Sequence, residues 1–284
     1  MAKVREFLEL LGYTDEDEIK KDTPRLAEAM KRAKMELDEV DYSIESLHKT
    51  LRSDLELESV RKMIGVWLKK WMALMLCRDE YKKVVYHFHP GIPRHMVMLN
   101  LVSDDIYCDF VDMLFFWGTA YIFNNVNRYL EMGEKHGLPP ARAHCGASLI
   151  GLALQAENIV PAPDIVVGSP YQCDQQHKVA EMLAEMWKVP LVKFDTTADE
   201  TWGLFPEISE RAVTYWGATW REDLLKPTED ILGIKVSDEI LTNSRHAYAR
   251  IWRLLDEIHR LVAEADPRPV SFASSNFYEF FALE

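Results

Sequence analysis

Apolar residues at Val4, Phe7, Leu8 and Leu11 fall three and four apart, the spacing of one helical face, and Gly12 then supplies a stop. Thr23 followed by Pro24 predicts an N-cap with proline at the first helical position, opening a helix that runs to about residue 40. Over residues 59–76 the same period returns at Val60, Met63, Ile64, Trp67, Trp71, Leu74 and Met75. Residues 1–80 therefore read as a helical arm that packs on whatever follows.

The pattern then changes. Residues 84–88 (VVYHF) form a short β-branched run, the first strand, and His89, Pro90, Gly91, Ile92 and Pro93 make the turn that leads into a helix over 94–101. Residues 108–131, crowded with Phe110, Phe115, Phe116, Trp117, Tyr121 and Phe123, read as one long buried helix. Residues 164–168 (DIVVG) and 189–195 (VPLVKFD) are two further strands, each bounded by Pro or Gly. Between them 174–187 is helical, apolar at Val179, Met182, Leu183 and Met186. Strand, helix and strand in so short a span make a βαβ unit on a parallel sheet. Helices over about 207–225 and 237–265 close the chain, the second capped at Ser237 and striped with Ile240, Leu241, Ile251, Leu254, Leu255, Ile258, Leu261 and Val262. The fold class is α/β: a Rossmann-like parallel-sheet domain over 81–203, a helical N-terminal region over 1–80 and long C-terminal helices over 204–284.

Composition narrows the chemistry. The 284 residues carry a net charge of −13, which argues against nucleic acid or an anionic membrane as the main partner, while leaving room for a local basic patch that binds phosphates. The longest apolar run, 110–123, contains Asp112 and is too short to span a bilayer. The chain opens into a charged amphipathic segment with no signal peptide, and four cysteines without CxxC spacing suit a reducing compartment, so the expected location is the cytoplasm. No GxGxxG, Walker A, GxSxG or HExxH motif is present, which leaves nucleotide-dependent dehydrogenases and common hydrolases without support.

Two cysteines stand where chemistry is expected. Cys173 follows the strand at 164–168 and directly precedes a helix, and Cys145 with Gly146 opens the apolar segment 147–155. Open parallel sheets bind ligands at the carboxyl ends of their strands, and helix N-termini favour thiolates. Two thiolates there could hold a metal or an iron–sulfur cluster. Cys77, in or just after the helix at 59–76, reads as a small buried hydrophobe. His87, His144 and His177 lie near the same loops and keep zinc as an alternative, although their spacing matches no finger or ribbon.

Cys145, then Pro163 and Asp164 with Ile165, Val166 and Val167, then Cys173 and Asp174, match in order and spacing the pattern of the 2-hydroxyacyl-CoA dehydratase / benzoyl-CoA reductase subunit family. The chain resembles that family from about residue 82 onward, through the turn at His89–Pro93 and the segment 232–241 (LGIKVSDEIL). The resemblance implies an iron–sulfur subunit of an oxygen-sensitive enzyme, carrying a [4Fe–4S] cluster and passing low-potential electrons to an acyl-CoA thioester. It implies a heteromer with a homologous subunit, or self-association, and a separate activator protein or ferredoxin as electron donor. Cys145 and Cys173 would be paired cluster ligands 28 positions apart, with Cys108 or His89 as candidates for a third. Many relatives have a cysteine where this chain has His89, and imidazole does ligate iron in Rieske centres. Ser148, Ser169 and Gln172 are candidate hydrogen-bond donors to sulfur. The acyl-CoA pocket is expected between the turn 89–93 and the loops 168–173 and 196–203, walled by Trp202 and the aromatic helix. Relatives continue into a second α/β domain, and this chain stops about where that domain should start. A non-catalytic scaffold that keeps the fold and binds only a partner is the alternative, and dehydratase is not separable from aromatic-ring reductase at this stage.

Overall fold

A computed structural model describes residues 2–88, 92–137, 145–169, 173–194, 207–268 and 270. Four helices come first: α1 (Ala2–Leu10), α2 (Glu16–Arg32), α3 (Glu39–Leu51) and α4 (Glu58–Glu80). α2 departs from the expected start at Thr23. Asp15 caps it by accepting from the Asp17 N–H, and Glu16, Asp17 and Glu18 load its first turn with the charge that a helix N-terminus favours. Pro24 therefore sits inside the helix, which ends at Arg32 instead of near residue 40. Tertiary contacts hold that interior: Ile19 and Leu26 are buried, and Asp22 accepts from Tyr13 Oη at 3.0 Å and from Arg25 at 2.7 Å.

The sheet has four parallel strands in the order β2-β1-β3-β4, with β1 Lys83–His87, β2 Ile106–Phe110, β3 Ile165–Gly168 and β4 Leu191–Lys193. Three of these were legible as strands. β2 corrects the sequence reading, because its five residues are the start of what looks like one aromatic helix. The helix that follows is broken into α6 (Val111–Trp117), a π-helical turn over Gly118–Ile122 and α7 (Asn127–Lys135). All five β2 residues are buried, so no polar alternation marks the strand. Asp109 is the polar exception. Burial pushes its carboxyl pKa up, against the pull of Lys70 at 3.0 Å.

Alternate strand residues divide the core into two layers. Val84, Tyr86 and Phe88, with Tyr107 and Val166, face a cluster built from α1–α4, α6, α8 (Gly146–Ala156) and α9 (Asp174–Trp187). Val85, Cys108, Val167 and Val192 face a second cluster containing Met96, Met98 and Leu99 of α5 (Pro93–Val102). On that side come α10 (Glu207–Thr219), a π-helical segment Trp220–Leu225, α11 (Lys226–Leu232) and α12 (Asp238–Glu264), of which Leu224, Leu225 and Leu232 are buried in the same cluster.

The crossover from β1 to β2 runs through α5 on one face; the chain then returns past β1 to β3, and on to β4, with α6, α8 and α9 on the other. Connections of one hand require that swap of faces when strand order reverses. The reversal leaves a crevice between the carboxyl ends of β1 and β3, where open α/β sheets receive ligands. Asp164 fixes the opposite end of β3: its carboxylate accepts from the Val84 N–H at 2.7 Å and pairs with Arg78 at 2.8 Å. The acidic residue of the Pro163-Asp164 motif thus ties β3 to β1 and α4.

Candidate functional site

A cavity of about 570 Å³ opens at this carboxyl edge. Its floor comes from the residues that leave the strands: Ile92, Pro93 and Arg94 after β1, Ser169 after β3 and Phe194 after β4. Its far wall is Val213, Trp216, Trp220, Arg221 and Tyr248. Trp220 is the hub, edge-on to Phe194 at 5.8 Å and to His95 at 6.2 Å, with the Arg94 guanidinium 5.2 Å over its ring. It opens the π-helical segment, an irregularity that recurs at binding sites. The expected loops at 89–93 and 168–173 do border the cavity through Ile92, Pro93 and Ser169. The expected walls need correcting: Leu114 and Phe115 of α6 are buried in the core on the opposite face of the sheet, and Trp202 lies outside the described residues.

Beneath the cavity two histidines are fully buried. His87 Nε2 lies 3.0 Å from His95 Nδ1, and the Ile92 N–H donates to His87 Nδ1. Desolvation pulls the His95 pKa down to about 3, and burial with the neighbouring imidazole holds His87 well below its ordinary value. Both rings are neutral at pH 7. The backbone donor fixes the tautomers: His87 must carry its proton on Nε2, so His95 carries its own on Nε2, an atom without a partner among the described residues. Of the histidines considered for zinc, His87 is thus engaged with His95 and the Ile92 N–H, His144 lies outside the described residues, and His177 pairs with Glu181 at 3.5 Å.

Cys145 and Cys173 occupy equivalent places. Each is the N-cap of its helix, α8 and α9, in extended backbone, and neither caps with its side chain. Cys145 is exposed and Cys173 half-buried. The first turn of α9 joins them: Gln175 Oε1 accepts from the Cys145 N–H at 3.1 Å, and Gln176 Nε2 lies 3.7 Å from the Cys145 sulfur. Ser148 Oγ sits 3.4 Å from the same sulfur, and either group can donate. Ser169 lines the cavity instead, and Gln172 lies outside the described residues. Gln176 was missed by the sequence reading. It is buried, and its Oε1 has no partner among the described residues. The signal was available: a glutamine three positions after Cys173 lies in the same helical turn.

The other thiols are structural in setting. Cys77, inside α4, lies 3.3 Å from Tyr86 Oη, and burial pushes its pKa up to about 11. Cys108, expected just past a βα turn, is instead at the middle of β2 opposite Val85, fully buried against α5, and desolvation raises its thiol pKa strongly. The structure thus separates Cys108 from the carboxyl edge that carries the other two. His89 lies outside the described residues, and among those described no group of three or more His, Cys, Asp or Glu forms a metal site.

The sequence profile of the 2-hydroxyglutaryl-CoA dehydratase D-component family matches residues 105–282, more than half of the chain. The chain belongs to this family. The match begins at β2 and takes in both N-cap cysteines, the cavity wall and α12. Among curated proteins none matches the chain significantly. Membership makes it a dehydratase-type subunit of a heteromeric enzyme, and among the described residues no helix is long and apolar enough to cross a membrane.

Proposed function

We propose that the chain is the iron–sulfur subunit of an oxygen-sensitive 2-hydroxyacyl-CoA dehydratase, or of the related benzoyl-CoA reductases, working in the cytoplasm. Cys145 and Cys173 would hold one [4Fe–4S] cluster. The observation that carries this reading is that two free N-cap thiols are linked through one helical turn, at the sheet edge that also bears the large apolar cavity. Two helix dipoles and their free N–H groups favour negative charge there. The donor set fits half of a four-iron cluster. The remaining ligands would come from outside the described residues, with His89 a candidate in the chain, or from the partner subunit.

When bound, such a cluster supplies single electrons of low potential to the thioester carbonyl of an acyl-CoA. The chain's own residues do the rest. Gln176 and Ser148 hydrogen-bond the Cys145 sulfur and tune it. Trp216, Trp220 and Phe194 exclude water from the acyl group. A homologous subunit completes the enzyme, and an activator or ferredoxin delivers the electrons.

Anaerobic purification after iron and sulfide reconstitution tests the cluster. Wild type and Cys77→Ala are expected to show broad visible absorbance with acid-labile sulfide, and Cys145→Ala and Cys173→Ala to lose most of both. Wild-type protein that takes up no iron, or alanine variants that keep it all, would make the chain a partner-binding scaffold.

A further inference from the structure

Arg94 differs from the paired arginines of this protein. Arg5, Arg25, Arg32, Arg78, Arg128 and Arg260 each reach a carboxylate, in a chain with 46 acidic residues against 33 basic ones. Arg94 is half-buried at the cavity floor, and among the described residues it makes no ion pair. Its Nε is buried without a hydrogen-bond partner. Its guanidinium lies over Trp220. The charges around it are positive: Arg221 lines the same cavity, and the cation of Arg245 adds to burial in lowering the Arg94 pKa. A guanidinium stays charged through such a shift.

Three of the polar atoms around the Trp220 ring are of one kind. Arg94 Nε, Trp220 Nε1 and the protonated His95 Nε2 are all buried donors without acceptors among the described residues. An unsatisfied buried donor is unfavourable, and a buried cation facing other cations more so. Donors and positive charge without an acceptor are complementary to an oxyanion. The walls beside them, Phe194, Trp216 and Val213, are apolar.

We infer that Arg94 anchors an oxyanion, a carboxylate or a phosphate, on a ligand whose apolar body lies against Trp216, Trp220 and Phe194. The anion site stands on this geometry alone; that the ligand is a CoA thioester rests on the function proposed above. Under that reading the anion is either an acid group at the far end of the acyl chain or a phosphate of CoA.

Isothermal titration of the full chain and of Arg94→Gln separates these sources, using glutaryl-CoA, butyryl-CoA, free CoA and 3-phenylpropionate as probes. Loss of about tenfold or more in affinity for glutaryl-CoA, with butyryl-CoA unchanged, supports the site and makes its anion an acyl carboxylate. Equal loss for both thioesters and free CoA supports the site with phosphate as its anion. If only 3-phenylpropionate binds, and does so through Arg94, the anion site holds and the acyl-CoA reading of the cavity fails. Arg94→Lys keeps the charge but not the planar fork, so it should show a smaller loss with the same probe; it replaces the glutamine variant should that one melt early. Wild type that binds no probe, or both variants binding every probe as wild type does, overturns the inference.

Discussion

α4 and α12 are the two longest helices described, and the sequence marks both with a clear apolar stripe. Their fates differ. α4 buries twelve of its 23 residues, with Trp71 stacked on Phe115 and tilted against Phe123. α12 fully buries only Ser244 and Leu255 of its 27, and Trp252, Leu254 and Leu261 stay exposed. An amphipathic pattern says that a face must be covered; it does not say by what. α4 packs its apolar face against α2, α6 and β1 and leaves its other face, Val66 included, to solvent. α12 packs along α5 at the outer wall of the cavity, which its Tyr248 lines. The first region is built for stability and the second to present a site, and three measurements can break or sharpen that contrast.

The largest effect is expected in α4. Trp71→Ala removes a fully buried ring that touches two aromatics, and should destabilise by about 3–5 kcal/mol in chemical denaturation. A change under about 1 kcal/mol would mean that the N-terminal layer is far looser than its packing implies.

Acid should act next, and on the cavity side. His87 and His95 have folded-state pKa values below the ordinary 6.5, so the unfolded chain takes up protons that the folded one refuses. The stability they protect is complete above pH 6.5 and is lost as pH falls from there toward about 3. Each buried histidine contributes a slope of up to about 1.4 kcal/mol per pH unit. Urea midpoints followed downward from pH 7 should fall more steeply for wild type than for His95→Gln. Parallel curves would show that these rings titrate normally.

The smallest effect belongs to the outer helix. Trp252 is 38% exposed, and Trp252→Ala should change stability by no more than about 0.5 kcal/mol. A larger loss would show that α12 is held by packing as α4 is.

Much of the site was legible because its signals are local. Cys145 and Cys173 each precede an apolar helical repeat, and an N-cap position can be read from that order alone. The βαβ unit of β3, α9 and β4 was legible for the same reason: short β-branched runs between Gly and Pro flank one helical face. β2 was not legible, because burial on both sides removes the alternation that marks a strand and merges it with the aromatic run behind it. Pro24 misled in the opposite way. Its proline reads as a helix start, but Asp15 caps earlier and the contacts of Tyr13, Asp22 and Arg25 keep the helix continuous.

The sequence by itself determined where the two thiols sit, the parallel sheet and the edge that carries the cavity, since each follows from the spacing of neighbouring residues. Only the tertiary structure decided that Cys108 faces α5, that His87 bonds His95, and that Arg94 meets Trp220, a residue 126 positions further along the chain. The reason is topological: strand order and the swap of helices between faces bring remote segments together, and no local periodicity records which of them will meet.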